Sequence, residues 1–263
     1  MRLLTSALAL VLAIGAAGFG YKVRAAAPQE IWPQQVSPLD KNALKAQTDL
    51  LDGAAADLPQ PLAPALRFQK LFLRIMSGAP PAEWRDEVEK FANSTEKAPV
   101  ESALVGISRA WLARLEMADI DPVLHTYYRH NVRFPATLDE VAADIPANLR
   151  KDPWGDRWIY KPAAPQGFER LDDQRYQLGP TRFPQLGNLT QAVRHRSVQI
   201  PSWTITLHDL AGSKALEFRS DRAGTPVITT IQPGGRVDDC ILLFIGDKWA
   251  LMAGMDQLFA VSF

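Results

Sequence analysis

The hydrophobic period of this chain changes along its length, and that change restricts the fold more than any single motif does. Across residues 39–131 apolar side chains recur every three or four positions, the spacing that gathers them on one face of a helix. Leu62, Leu66, Phe68, Leu71, Phe72 and Ile75 load one such face, and Pro80-Pro81 opens a further helix carrying Trp84, Val88 and Phe91. Val100, Leu104, Ile107, Trp111 and Leu115 then repeat at steps of four, three, four and four, which marks a core stripe. Asp121-Pro122 offers an N-cap and a first-turn proline, so a separate short helix is expected from there through Leu124, Tyr127 and Tyr128 to Asn131. From residue 197 onward the texture differs. Short runs at 203–207, 215–219, 227–231, 240–245, 249–252 and 258–263 are rich in β-forming residues and are separated by Gly212, Gly224, Pro233-Gly234-Gly235, Gly246-Asp247 and Gly254. Helices and strands segregated in this way predict an α+β chain whose last part, 197–263, is a small all-β module of barrel or sandwich type.

The N-terminus adds a topological expectation. Residues 3–21 carry no charge and lie between Arg2 and the pair Lys22 and Arg24. At about 1.5 Å per residue such a stretch comes close to the ~30 Å of a bilayer's hydrocarbon core. A signal anchor over residues 1–24 is expected, in the N-in orientation that a very short tail favours. Lys22 and Arg24 separate the apolar stretch from Ala25-Ala26-Ala27, which weighs against signal-peptidase cleavage there. Pro28, Pro33 and Pro38 then predict a semi-stiff linker over 25–38. The expected location is a bacterial inner membrane, crossed once by residues 3–21, with the bulk of the chain in the periplasm.

Charge and motif content narrow the function classes. With 29 basic and 29 acidic residues the chain is formally neutral, so no global field favours nucleic acid, and none is expected as a partner. Cys240 is the single cysteine, which rules out an intramolecular disulfide and CxxC metal clusters; inside an apolar run it is expected as a small buried hydrophobe. His125 and His130 are five apart, off the shared face of a zinc-binding helix. His195 sits between Arg194 and Arg196 in a basic loop, and His208-Asp209 has no GxSxG elbow to complete a triad. Neither a Walker loop nor a dinucleotide-binding GxGxxG fingerprint is present. No catalytic, cofactor or metal residue is nominated.

The middle of the chain holds the densest turn chemistry. Thr137 and Glu140 have capping-box spacing, which predicts a short helix over 138–143 with Thr137 capping residue 140 and the Glu140 carboxylate returning to the amide of residue 137. Asp152-Pro153-Trp154-Gly155 places each residue type where a type I turn wants it, and a strand should follow through Arg157, Trp158, Ile159 and Tyr160. A hairpin partner is expected at 167–171 and another strand at 176–178.

These stretches, YRHNVRFPATLDE at 128–140, KDPWGDRWIY at 151–160 and YQLGP at 176–180, resemble the C-terminal region of the major pseudopilin of type II secretion systems over about residues 109–180. The resemblance implies a helix closing onto a small antiparallel sheet. It makes Pro135, Thr137, Glu140, Asp152, Pro153, Gly155, Trp158 and Tyr160 framework positions. The chain departs from that family in having Gly18-Phe19 after its apolar run, where a prepilin leader has such a pair before it, and in having Val132 at the usual turn glycine. Gly179-Pro180-Thr181-Arg182 lacks the carboxylates of the family's calcium loop, so no calcium site is carried over. The tail, through residues 235–241 and 246–251, is similar to inner-membrane connector proteins of type II secretion and type IV pili, in which a small β-module docks on the secretin. The resulting division is an anchor at 1–24, a linker at 25–38, a helical region at 39–118, a pseudopilin-like α+β unit at 119–180 and a β-module at 197–263. The expected function is non-enzymatic assembly or scaffolding in a type II secretion or type IV pilus-like apparatus. A stand-alone periplasmic binding or structural protein, and a hydrolase built around His195 or His208, are the rival readings.

Overall fold

The computed structural model describes residues 26–163, 176–198, 202–210, 212–222 and 225–263. The anchor expected over 1–24 and the hairpin partner expected at 167–171 lie outside the described residues. Among the described residues no helix is long and apolar enough to cross a membrane.

The segment expected as a linker is part of the body. Pro28 opens a one-turn helix, α1 (Pro28–Ile31), where its missing N–H and fixed φ suit the first turn. Ile31 and Trp32 are fully buried, and the Trp32 ring stacks on Trp249 at 6.0 Å. The Trp32 carbonyl accepts the Ala260 amide at 2.8 Å, and β1 (Gln35–Val36) pairs antiparallel with Arg196–Ser197. Proline density set the expectation of a spacer. What overrides it is the burial of two large apolar side chains, roughly 1.5–3 kcal/mol each.

Four helices follow. Asp40 caps α2 (Lys41–Ala54) by accepting the Ala43 amide at 2.7 Å. Beyond it come α3 (Ala63–Met76), α4 (Arg85–Ala92) and the long α5 (Pro99–Asn131), opened by proline in its first turn. The expected stripe Val100, Leu104, Ile107, Trp111 and Leu115 is buried against α3 and α4 in one core, while Ala113, Met117, Ile120 and Leu124 enter a second. The helix restart expected at Asp121-Pro122 does not occur, because α5 runs straight through Pro122. The carbonyl that Pro122 leaves unpaired belongs to Ala118, an exposed residue. Asp121 is not a cap either: it accepts the Tyr176 hydroxyl and faces His125 at 3.5 Å. The boundary expected between 118 and 119 therefore falls inside one continuous helix.

The remaining elements form small antiparallel sheets, consistent with the α+β expectation. β2 (Ile159–Pro162) pairs with β3 (Tyr176–Gly179), setting Tyr160 opposite Leu178. After α6 (Leu189–Arg194) and β4 (Arg196–Ser197), a three-stranded sheet runs in the order β5-β6-β7 (Thr204–Leu210, Ser213–Arg222, Thr225–Ile231). A four-stranded sheet closes the chain: β8 (Arg236–Val237), β9 (Cys240–Ile245), β10 (Trp249–Ala253) and β11 (Leu258–Ser262), in the order β11-β10-β9-β8.

Each of the six β-rich runs becomes a strand, yet the tail is not self-contained. Leu242, Ala250, Met252, Phe259 and Val261 face Leu216 and Phe218 of the neighbouring sheet, whereas Leu243, Leu251, Ala253, Leu258 and Ala260 face the helices. A sheet buried on both faces explains why its strands are continuously apolar. Cys240 is buried as expected. Gly246 is dictated by close approach, since a Cβ there would lie 2.3 Å from the Trp249 indole nitrogen.

A buried ion cluster fastens these layers together. Asp256, in the β10–β11 turn, receives Arg114 of α5 at 2.5 Å on one carboxylate oxygen and Arg196 of β4 on the other. Its backbone carbonyl accepts the Trp111 indole N–H at 2.8 Å, and the Arg114 guanidinium lies 4.7 Å from the centre of the same ring. Arg114 also donates to the carbonyl of Gly187 at 3.1 Å. Burial works against the charge on both guanidiniums and lowers their pKa, with Arg114 adding repulsion at Arg196, and both stay cationic at neutral pH.

Two stability measurements follow from this packing. Trp32→Ala is expected to lower unfolding free energy by about 3–5 kcal/mol in denaturant titration, the cost of emptying a large core site; a solvated spacer would show almost no change. Asp256→Ala strands the buried Arg114 and the partly buried Arg196 and is expected to cost about 3–5 kcal/mol, with Asp256→Asn recovering only part of it.

Candidate docking site

The middle of the chain forms a unit packed on the C-terminal half of α5. At the helix end Val132 adopts a left-handed conformation with φ 56° and is 59% exposed. This is the backbone geometry for which glycine is favoured, so the valine tolerates strain there. The chain then reverses, and Phe134 inserts among Tyr128, His125 and Tyr176, with ring centroids 4.8, 5.5 and 5.0 Å away.

Pro135 and Tyr160 meet directly, the tyrosine hydroxyl donating to the proline carbonyl at 3.0 Å. Burial, with Glu140 and Tyr127 nearby, pushes the Tyr160 phenol up to about 12. The capping box expected at Thr137 and Glu140 is corrected in detail. Residues 138–141 form a 3₁₀ turn, Leu138–Val141, and the Thr137 side chain makes no cap bond. In that tight turn the Glu140 amide is already taken by the Thr137 carbonyl, at 3.3 Å. The Glu140 carboxylate bonds chiefly to the Ala136 amide, at 2.7 Å, with the expected Thr137 amide a lesser partner, and also accepts the Tyr127 hydroxyl at 2.5 Å and Arg133 at 3.3 Å. The Tyr127 hydrogen bond, followed by the Ala136 amide, lowers its pKa below the usual carboxylate value.

A turn does form at Asp152. The Gly155 amide donates to the Asp152 carbonyl at 2.8 Å, with Gly155 at φ +89°. Pro153 occupies the turn position its ring pre-sets. The Asp152 carboxylate, 3% exposed, accepts the amides of Trp154 at 2.9 Å and Asp156 at 3.0 Å on one oxygen, and that of Thr181 at 3.0 Å on the other. Thr181 is tied to the turn in this way, and its hydroxyl donates to the Arg157 carbonyl at 2.7 Å. The strand starts at Ile159, two residues later than expected, because pairing begins at Ile159 opposite Gly179 and the residue beyond, Pro180, has no amide to donate; Trp158 is buried with its indole N–H on the Leu149 carbonyl at 2.8 Å.

All eight framework residues therefore lie in one unit, and the side chains of Glu140, Asp152, Trp158 and Tyr160 serve backbone atoms in it. Between them opens a groove of about 380 Å³. Its floor is Leu138, Ile145, Leu149 and Trp158; its rim carries Arg150, Lys151, Arg157 and Asp139. The basic rim escaped sequence reasoning because Arg150 and Lys151 are separated from Arg157 by the turn that brings them together.

The residues weighed for catalysis are dispersed. His208 lies 3.3 Å from Glu217 on the β5–β6 sheet, while His195 Nδ1 is 3.4 Å from Ser37 Oγ near β1. Among the described residues no group of three His, Cys, Asp or Glu side chains could hold a metal ion.

Sequence reasoning also missed Glu116, a largely buried carboxyl on α5. Burial pushes its pKa up to about 8, with Arg85 opposing and Asp119 and Asp152 reinforcing the rise. The native state therefore binds this proton more tightly than the unfolded chain, and stability falls as pH rises from the ordinary 4.5 toward 8. Glu116→Gln is expected to raise the melting temperature at pH 8 and leave it nearly unchanged at pH 4, read by parallel thermal scans. No protein-family model, curated protein or solved structure matches this chain.

Proposed function

We propose that the chain is a non-enzymatic assembly or scaffold component of a type II secretion or type IV pilus-like apparatus. Residues 3–21 hold it at a bacterial inner membrane, and the rest lies in the periplasm. The observation that carries this reading is the Asp152 turn. Its carboxylate is bonded to three backbone amides and is hardly exposed, so it fixes shape and is not available to a substrate. Glu140, Trp158 and Tyr160 are likewise engaged with backbone atoms, which suits a rigid surface for protein contacts. The pseudopilin-like order of these residues is what points toward secretion machinery.

Crosslinking in intact cells tests this, with a photoreactive amino acid at His130 or Ile228, both exposed. Mass spectrometry of the captured proteins is expected to recover secretin, inner-membrane platform or pilin-like proteins. Their consistent absence from both positions, with other envelope proteins captured, overturns the reading.

A further inference from the structure

We propose that the groove between the Leu138–Val141 turn and Trp158 receives a short acidic segment of a partner protein. The partner's apolar side chains sit on the floor and its carboxylates face Arg150, Lys151 and Arg157. This rests on the docking role proposed above and names the chemistry of what docks.

Charge complementarity carries the argument. The whole chain is neutral, yet this rim sets three cations against the single carboxylate of Asp139. Lys151 and Arg157 make no side-chain hydrogen bond or ion pair among the described residues. Arg150 commits only its Nε, to the Ile145 carbonyl at 3.2 Å, which leaves its terminal nitrogens available. A guanidinium fork matches a carboxylate in two parallel hydrogen bonds, and a lysine adds a mobile point charge.

The floor supplies the second half of the recognition. Leu138, Ile145, Leu149 and Trp158 present an apolar surface in a cavity of about 380 Å³. That is near the lower end of ligand-sized pockets, enough for about two or three side chains and too small for a folded domain. Three cations beside an apolar floor do not make a track for a phosphate backbone, which needs a longer basic stripe.

The rim is also held in place before any partner arrives. Arg157 is anchored through its carbonyl to the Thr181 hydroxyl, Lys151 precedes the immobilised Asp152, and the Trp158 indole ties the floor to Leu149. Little ordering of the backbone is then required on binding.

Selection of short random peptides on the purified full chain tests the inference. Enriched sequences are expected to combine Asp or Glu with Leu, Ile or Phe. A synthetic representative should bind the K151E/R157E variant about tenfold or more weakly, and K151Q/R157Q should give an intermediate loss; binding should fall as salt is raised. Both substituted residues are exposed, and circular dichroism checks that the fold is kept. Enrichment without acidic residues, unchanged binding to the charge-reversed variant, or full displacement by inorganic phosphate at matched concentration overturns the proposal. The last outcome would make the groove a small-anion site. Recovery of apparatus proteins at His130 or Ile228 alongside a failed selection would remove the groove assignment and leave the scaffold role standing. The converse would keep the groove and remove the apparatus.

Discussion

The carboxylate of Asp256 stands between the buried guanidinium of Arg114 and the partly buried one of Arg196, and that placement ties the layers of this protein together. One guanidinium comes from α5, the other from β4, and the carboxylate itself from the turn joining β10 to β11. These elements are distant in sequence, so the cluster specifies register as well as adding attraction. Two buried charges and a third partly buried one are costly in any other arrangement, which penalises alternatives in which the sheet slides along the helix. The Trp111 indole completes the constraint by donating to the Asp256 carbonyl while its ring lies under Arg114.

The same use of carboxylates recurs in the middle unit. Asp152 gathers amides from both sides of its turn and from Thr181 across the hairpin, and Glu140 joins the start of the 3₁₀ turn to Tyr127 at the end of α5. Each converts a loop that could sample several shapes into one held by charge-assisted hydrogen bonds. The apolar contribution beneath them comes from Phe134, Trp158 and the C-terminal half of α5. Local turn chemistry and long-range packing therefore favour one conformation, as expected where consistent preferences specify a fold.

The legible parts of the fold were those written in short-range pattern. The α5 stripe, the six C-terminal strands and the Asp152 turn depend on periodicity or on residues within four positions of one another. The less legible parts depended on partners far away in sequence. Pro122 looks like a helix start until Asp121 is seen to be occupied by Tyr176, and Pro28 and Pro33 look like a spacer until Trp32 is seen against Trp249. Thr137 and Glu140 show a subtler limit: the spacing suits a cap, but in a 3₁₀ turn the carboxylate's main bond falls one residue earlier, on Ala136, and the Thr137 side chain caps nothing. The groove could not be read at all, since its basic rim is assembled only when the turn closes.

Position along α5 then gives the proposed docking surface its geometry. Residues 26–32 pack beside β9 and β10, in the core that also holds the N-terminal half of the helix, whereas the groove belongs to the unit on its C-terminal half. At about 1.5 Å per residue the 33 residues of α5 extend roughly 50 Å. Under the proposed topology the chain enters the body from the membrane at the first core and presents the groove near the other end of this helix. Under that same proposed topology, a direct join between helix and framework unit would pass the anchor's restraint on to the groove. A partner segment would then meet a surface already limited in height and orientation, and that reduces the freedom lost on docking.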